Sequence, residues 1–260
     1  TPIVFVHEFA GDFRSWDDQM RHFGRGWRAI TMSARGYPGS DAPKGDAAYG
    51  QDFFERDVIA VLDAAGVEKA HVVGLSMGGY TALCIAARQP SRVLSCVAAG
   101  AGSGSELASQ ALFREECREK AAAFDATGQV DADGAGHSPT RIQLKAKDLR
   151  CWQRFVANLA EHEAHAAAST LRRVQGARPS LYELEAELRR ISAPTLLIVG
   201  DEDEPCLDVN LWMKRLKPSD GTAARLQRSY ANSRRPRPHE SPRRTGQNES
   251  GVFADAAFGR

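Results

Sequence analysis

The sequence predicts an α/β fold in which a mostly parallel β-sheet is covered by helices on both faces. Short, continuous apolar segments rich in β-branched residues recur along the chain, as at residues 2–7 (PIVFVH) and 193–200 (APTLLIVG). Segments with helical spacing alternate with them, and the chain contains no internal repeat. Strands that alternate with helices are joined by right-handed crossovers, which makes the strands of such a sheet parallel.

The front of the chain supplies four strands with helices between them. The strand at 2–7 is followed by a tight loop, and a later loop at 33–43 is rich in Gly, Pro and Asp. Gly66 marks the end of the second helix. The predicted strands are residues 2–7, 27–32, 71–75 and 92–99, and the predicted helices are 15–23, 51–65 and a third that ends near 89.

The stretch HVVGLSMGGY at residues 71–80 predicts a strand, an abrupt turn and a helix packed closely behind it. Gly74 and Gly78 flank Ser76 in a Gly-x-Ser-x-Gly pattern, where the backbone passes too close to itself for a Cβ atom. This turn holds the Ser76 hydroxyl at the carboxyl end of the strand. The N–H of Met77 then lies at a helix N-terminus, where partial positive charge favours a developing oxyanion. The alternative is a tight turn without chemistry.

A helical insertion is predicted between the fourth and fifth strands. From Ser105 to Arg190 the strands stop, and the composition turns rich in Ala, Glu, Arg and Leu. The predicted organisation is a first part of the α/β core at 1–104, a helical cap at 105–190, a second part of the core at 191–230 and an irregular basic tail at 231–260. Helical segments of the cap are expected at residues 107–124, 149–168 and 181–190.

Composition is ordinary for a globular protein. The chain has 260 residues, 42% of them hydrophobic, and a formal net charge of +1, which gives no reason to expect a nucleic-acid partner. No apolar run approaches the ~20 residues that span a bilayer, so no membrane partner is expected. The five cysteines are scattered without CxxC pairs. Reduced thiols are therefore expected, and they favour a cytoplasmic location.

Four motifs in order resemble those of α/β-hydrolase-fold serine hydrolases with a helical cap, over roughly residues 2–216. VFVHEFAG resembles the oxyanion loop of that family and SARGYPGSD its Arg-Gly-x-Gly-x-Ser loop. GLSMGG resembles the nucleophile elbow and IVGDEDEP the strand-end acid motif. The GLSMGG sequence of the elbow is similar to that of small-ester and lactone hydrolases in particular.

The resemblance implies a role for each matching residue. Ser76 is the expected nucleophile, the N–H groups of Phe9 and Met77 form the oxyanion hole, and Asp203 orients the base. Asp203 is preferred to Asp201 because the acid of the family lies three residues past the glycine that ends the strand. A serine needs a positioned base held by a carboxylate, since its hydroxyl is a poor nucleophile by itself.

The implied reaction is hydrolysis of a small carboxylic ester, thioester or lactone through an acyl-serine intermediate. No metal or organic cofactor is implied, and the expected partner is a small-molecule substrate. Cleavage of a C–C bond, acyl transfer and a catalytically inactive binding protein stay open as alternatives on the same site, as does polyanion binding by the basic tail. The substrate and the oligomeric state are left open.

The chain departs from the family in two places. Glu8 stands where the oxyanion loop usually has glycine, and its carboxylate is expected either to point to solvent or to pair with a cation such as Arg35. The family's histidine position falls near residues 234–235, which are arginines. The candidate base is therefore His239, the histidine that follows Asp203. A shifted reading frame in the tail is the other explanation, since codons for residues 236–242 can encode Arg-Gly-His in the next frame.

The remaining histidines have ordinary interpretations. His7 is expected to shape its loop rather than to transfer protons. His162 and His165 are three residues apart in a predicted helix, a spacing that suits a metal, but an exposed helix face is the preferred interpretation. Trp152, Phe155 and Leu159 share a helical face and either line the substrate pocket or pack the cap.

Overall fold

The computed structural model describes residues 1–200, 203–216 and 225–229, with the backbone alone for residues 140 and 225–229. Within these residues six strands form one sheet in the order β2-β1-β3-β4-β5-β6, and every neighbouring pair is parallel. The predicted α/β fold class is confirmed. The strands are β1 (Pro2–Val6), β2 (Arg28–Met32), β3 (Ala70–Leu75), β4 (Val93–Ala99), β5 (Thr195–Gly200) and β6 (Arg225–Ser229).

Ten α-helices flank or extend this sheet in the described residues, and four of them alternate with its strands. None of the described helices is both long enough and apolar enough to cross a membrane. The helices are α1 (Asp17–Phe23), α2 (Gln51–Ala64), α3 (Met77–Arg88), α4 (Gln110–Thr127), α5 (Ala132–Gly136), α6 (Pro139–Lys147), α7 (Leu149–Ala160), α8 (Ala164–Thr170), α9 (Glu185–Arg189) and α10 (Glu204–Leu216).

Side chains of the strands alternate between two cores because successive residues of a strand point to opposite faces. On one face Val4 and Val72 pack with residues of α2, α3, α9 and α10. On the other face Phe5 and Val73 pack with Trp16 next to α1. The apolar runs of the strands are continuous because both faces are covered.

The carboxyl ends of the central strands meet at one edge of the sheet. In the register of the sheet Val6 pairs with Gly74, Gly74 with Ala98, and Ala99 with Ile198. The loops that follow β1, β3, β4 and β5 therefore emerge side by side. Parallel sheets bind their ligands at this edge.

Helices α4 to α9 occupy the stretch between β4 and β5, in the segment where the cap is predicted. The division of the chain into core, cap and tail stays a prediction. One helix was expected at 149–168, and the structure has two, α7 and α8, separated by residues 161–163. Helices α5 and α6 were not predicted. Their short, polar sequences lack a distinctive apolar period.

The interpretation of His162 as part of an exposed helix face is wrong. Its side chain is 2% exposed and its Nε2 lies 3.8 Å from Oδ2 of Asp12, a residue of the loop after β1. The ring also packs edge-on against Tyr37 at 5.2 Å. Helix α7 ends at Ala160, two residues before His162.

Candidate active site

Ser76 lies at the apex of the turn between β3 and α3. Its φ of 52° is positive, and no other described residue except glycine has a positive φ. Its N–H donates to the carbonyl of Ala99 at 2.7 Å, and its carbonyl accepts from the N–H of Tyr80 at 2.9 Å. A backbone of this kind costs about 1–3 kcal/mol and persists only where the surroundings enforce it. The sequence-predicted elbow is thus formed, with Ser76 at its tip.

Two glycines allow α3 to start against the sheet. A Cβ at Gly74 would lie 2.1 Å from the carbonyl oxygen of Gly78, and a Cβ at Gly78 would lie 2.1 Å from that of Val6. No real Cβ atom makes such contacts, so both positions require glycine. The helix begins at Met77, whose N–H is therefore one of the first-turn donors without an intrahelical acceptor.

His7 fixes the orientation of the second expected oxyanion donor. The N–H of Ala34 donates to His7 Nε2 at 3.0 Å, so Nε2 is unprotonated and the proton lies on Nδ1. Nδ1 then donates to the carbonyl of Glu8 at 2.7 Å, and the N–H of Gly11 donates to the same oxygen. In a trans peptide the N–H points away from the carbonyl. The N–H of Phe9 therefore points away from His7.

Burial keeps His7 in the neutral form that these hydrogen bonds require. The residue is fully buried, and desolvation lowers the pKa of its imidazole below the ordinary value, although the Glu8 carbonyl and nearby carboxylates oppose this. The expectation that His7 shapes its loop agrees with these contacts.

Glu8 pairs with a cation, as one of the two expectations had it, but the cation is not Arg35. Arg35 pairs instead with Asp57, whose Oδ2 accepts from Nε at 2.7 Å. Glu8 is buried, and its Oε1 accepts from Nη2 of Arg141, a residue of α6, at 3.2 Å. Its Oε2 has no hydrogen-bond partner among the described residues. The negative charge beside Phe9 is thus countered by a cation from the region between β4 and β5.

Asp203 lies just past the end of β5, at the same edge of the sheet as Ser76. A Cβ on Gly100 would lie 3.4 Å from Asp203 Oδ2 and 3.9 Å from Leu75 Cδ1, so both side chains border Gly100. Burial raises the pKa of Asp203 above its ordinary value, and a hydrogen bond from Cys206 partly opposes this. Asp203 therefore stands beside the strand end that leads into Ser76. The rejected alternative, Asp201, lies outside the described residues.

The predicted base is not located. His239 and the rest of the tail at 231–260 lie outside the described residues. No group of three or more His, Cys, Asp or Glu side chains in the described part of the chain is arranged to hold a metal ion.

Two side chains near the oxyanion loop were not predicted from the sequence. Tyr37 packs edge-on against the His7 ring at 4.5 Å, and its hydroxyl lies 3.9 Å from the sulfur of Met77. Its position inside the SARGYPGSD loop, which resembles a motif of the family, could have identified it as a residue near the site. Arg141 had no such signal, because it is 133 residues from Glu8 and lies in an undistinguished basic helix.

The region between β4 and β5 covers the oxyanion loop. Phe9 packs against the apolar side chains of α4 and α8, which include Cys117, Ala121 and Ala168. Backbone donors stabilise charge more strongly where such packing lowers the local dielectric constant.

Comparison with known proteins gives consistent results. The family model for the alpha/beta hydrolase fold matches residues 1–213. The chain is 29% identical over 204 residues to 3-oxoadipate enol-lactonase 1 of Acinetobacter baylyi, covering 77% of this chain and 71% of that protein. It is 29% identical over 223 residues to 2-hydroxymuconate semialdehyde hydrolase of Pseudomonas sp. strain CF600, covering 78% of this chain and 70% of that protein.

Solved structures share the fold. The structure of MenH from S. aureus matches with a TM-score of 0.76 at 22% identity, covering 88% of this chain and 84% of that chain. A hydrolase from Pseudomonas aeruginosa PA01 matches with a TM-score of 0.71 at 25% identity, covering 88% and 82%. The family model spans the elbow, the oxyanion loop and Asp203. The chain belongs to the alpha/beta hydrolase fold family and is an enzyme of the hydrolase type.

Proposed function

We propose that Ser76 is the nucleophile of a serine hydrolase that cleaves a small carboxylic ester, thioester or lactone. The observation that carries this proposal is the strained backbone of Ser76 at the tip of a strand–helix turn. Strain of this kind is kept where a side chain must be presented at a functional edge. Ester or lactone hydrolysis agrees with membership of the family, and the kinship to an enol-lactonase supports a lactone as one possible substrate class.

In the proposed mechanism, Ser76 Oγ attacks the carbonyl carbon while its proton passes to a histidine, for which His239 is the candidate. The electron pair of the carbonyl moves to its oxygen, and the N–H groups of Phe9 and Met77 hold that oxyanion. The carbonyl re-forms and the alcohol, thiol or enol leaves with the proton of the histidine. Water then repeats the sequence on the acyl-serine, and Asp203 orients the imidazole throughout.

A cytoplasmic location also belongs to this proposal. Its support is that the five cysteines, all within the described residues, form no disulfide, and four of them are buried. Reduced thiols are typical of proteins from a reducing compartment.

A fluorophosphonate probe tests the nucleophile directly. We expect rapid labelling of the full chain, none after Ser76→Ala, and strongly slowed labelling after His239→Ala. Ser95→Ala serves as the matched control, since Ser95 lies buried in β4 and contacts His71. A folded protein that stays unlabelled would contradict the catalytic proposal and favour a binding protein of this fold.

Product analysis separates the remaining reactions. Incubation with p-nitrophenyl acetate should release nitrophenol first and acetate after hydrolysis, with an acetyl group transiently esterified to Ser76 Oγ. Fluorophosphonate labelling that is as fast in His239→Ala as in the unchanged chain would remove His239 from the mechanism. Sequencing of the gene around codons 236–242 would then decide whether a Gly-His segment exists in the next frame.

A further inference from the structure

The thiol of Cys206 lies beside the carboxylate of Asp203, the proposed acid of the active site. Cys206 belongs to the first turn of α10, and its N–H donates to the backbone carbonyl of Asp203 at 2.9 Å. The residue is 1% exposed, and its side chain hydrogen-bonds the Asp203 carboxylate. We propose that Cys206 is a positioning residue that fixes the orientation of this carboxylate toward the catalytic histidine. This inference rests on the proposed hydrolytic function.

Polar groups of the loop after β4 surround the sulfur of Cys206. Sγ lies 3.4 Å from the carbonyl oxygen of Gly100 and 3.6 Å from Oγ of Ser103. The same loop borders the acid, since a Cβ on Gly100 would lie 3.4 Å from Asp203 Oδ2. The single hydrogen of the thiol can go to the Gly100 carbonyl or to the carboxylate, while the Ser103 hydroxyl donates to the sulfur. An ionised carboxylate is the stronger of these two acceptors, so the thiol hydrogen goes to Asp203 when that residue is charged.

Cys206 keeps its hydrogen at neutral pH and is therefore available as a donor. Burial, together with the charge of Asp203, raises the pKa of Cys206 to about 12. A hydrogen bond to the charged form of a carboxyl favours that form, and the bond from Cys206 opposes the effect of burial on the pKa of Asp203. The thiol therefore favours the ionised carboxylate, which is the form that orients and stabilises an imidazole base.

Asn210 fixes the backbone that carries the thiol. Its side chain is fully buried, and its Nδ2 donates to the carbonyls of Cys206 and Ala101, each at 2.7 Å. One amide thus joins α10 to the loop after β4. The two segments approach closely, since a Cβ on Gly102 would lie 3.1 Å from Cys206 Cα. A side chain on such a fixed backbone can restrict a carboxylate to one orientation, as an active site requires.

A neutral donor suits a carboxylate that must later stabilise a positive charge. Among the described residues, Cys206 provides the side-chain hydrogen bond to Asp203. The buried carboxylate of Asp12 is held differently, because Arg14 donates to both of its oxygens, at 3.0 and 2.7 Å. An arginine compensates the negative charge of its partner, whereas a thiol occupies one acceptor position of Asp203 and leaves its charge for the imidazolium.

Titration of the Asp203 carboxyl carbon, followed by ¹³C NMR of the full chain, tests the contact without reference to catalysis. Cys206→Ala should raise the pKa of Asp203, because the ionised carboxylate loses a donor, and Cys206→Ser should restore most of the change. Cys96→Ala is the matched control, since it removes a fully buried thiol from the middle of β4 and should leave the pKa of Asp203 unchanged. An equal pKa for Asp203 in the unchanged chain and in folded Cys206→Ala would overturn the proposal and leave the role of Ser76 intact.

Steady-state kinetics with p-nitrophenyl acetate tests the positioning role. Cys206→Ala should lower kcat about tenfold with little change in KM, and Cys206→Ser should recover most of that loss. In an Asp203→Asn background the Cys206→Ala substitution should have no further effect on kcat, because it acts through the carboxylate. Equal losses in both backgrounds would indicate a purely structural role and overturn the proposal. Full activity of Asp203→Asn would instead remove Asp203 from the proposed mechanism, and the positioning role of Cys206 with it.

Discussion

The carboxylate of Glu8 accepts a hydrogen bond from Arg141 across 133 residues of sequence, and this contact joins the oxyanion loop to helix α6. Glu8 is buried beside Phe9, the expected oxyanion donor, so an unpaired charge at this position would oppose the negative charge of the transition state. In the family pattern this position is an uncharged glycine. Here the positive charge of Arg141 offsets the negative charge of Glu8 instead.

Arg141→Gln should lower kcat/KM about tenfold or more, since it leaves a buried carboxylate without its cation. Adding Glu8→Gln should restore much of the loss, because two neutral groups no longer repel the oxyanion. A double-mutant cycle in steady-state kinetics measures this coupling. Independent, additive effects of the two substitutions would contradict the arrangement.

Gly78→Ala should destabilise the protein by about 1–3 kcal/mol or prevent folding, because its Cβ would lie 2.1 Å from the Val6 carbonyl oxygen. Gly26→Ala is the matched control, since nothing lies within 4 Å of the Cβ position there. That control should be neutral or slightly stabilising. Urea unfolding of both variants gives the comparison, and equal stabilities would be inconsistent with the close approach of α3 to β1.

Asp203→Asn should reduce kcat by about 10³–10⁴-fold if Asp203 orients the catalytic base. Asp208→Asn, at an exposed position of helix α10, which begins just after Asp203, should leave kcat unchanged. Steady-state kinetics of the two variants checks this, and an equal kcat for Asp203→Asn and Asp208→Asn would exclude the role of Asp203.

Stability should fall as the pH falls below about 6.5, the ordinary pKa of histidine. Desolvation lowers the pKa of His71 to about 4 and also lowers that of His7. For each histidine, the unfolded chain therefore binds a proton at pH values between its native and its unfolded pKa, while the native chain does not. In that window each histidine lowers the free energy of unfolding by up to about 1.4 kcal/mol per pH unit as the pH falls.

Urea unfolding between pH 4.5 and 8 measures that slope. His71→Asn keeps a polar atom near the hydroxyl of Ser95, which bonds His71 at 2.7 Å, but it removes the titration. The variant should show a shallower loss of stability at low pH. An unchanged slope would assign the loss to other groups.

The strands and the elbow were predictable because they are encoded by residues close together in sequence. The apolar run of β3 and the glycines around Ser76 specify a strand and a tight turn without reference to the rest of the chain. The choice of Asp203 came instead from the family resemblance, which places the acid three residues past the strand-end glycine. Helix 149–168 was predicted as continuous because its sequence has no glycine or proline to break it.

The tertiary structure decided what local pattern does not encode. It placed His162 inward between the two helices that replace the predicted one, and it paired Glu8 with Arg141 rather than Arg35. Sequence alone determined which residues form the elbow, since local sterics and hydrophobic periodicity act over a few residues. Which charges and rings meet around it was decided by packing, because burial lets a buried group keep only partners that the fold brings within hydrogen-bonding distance.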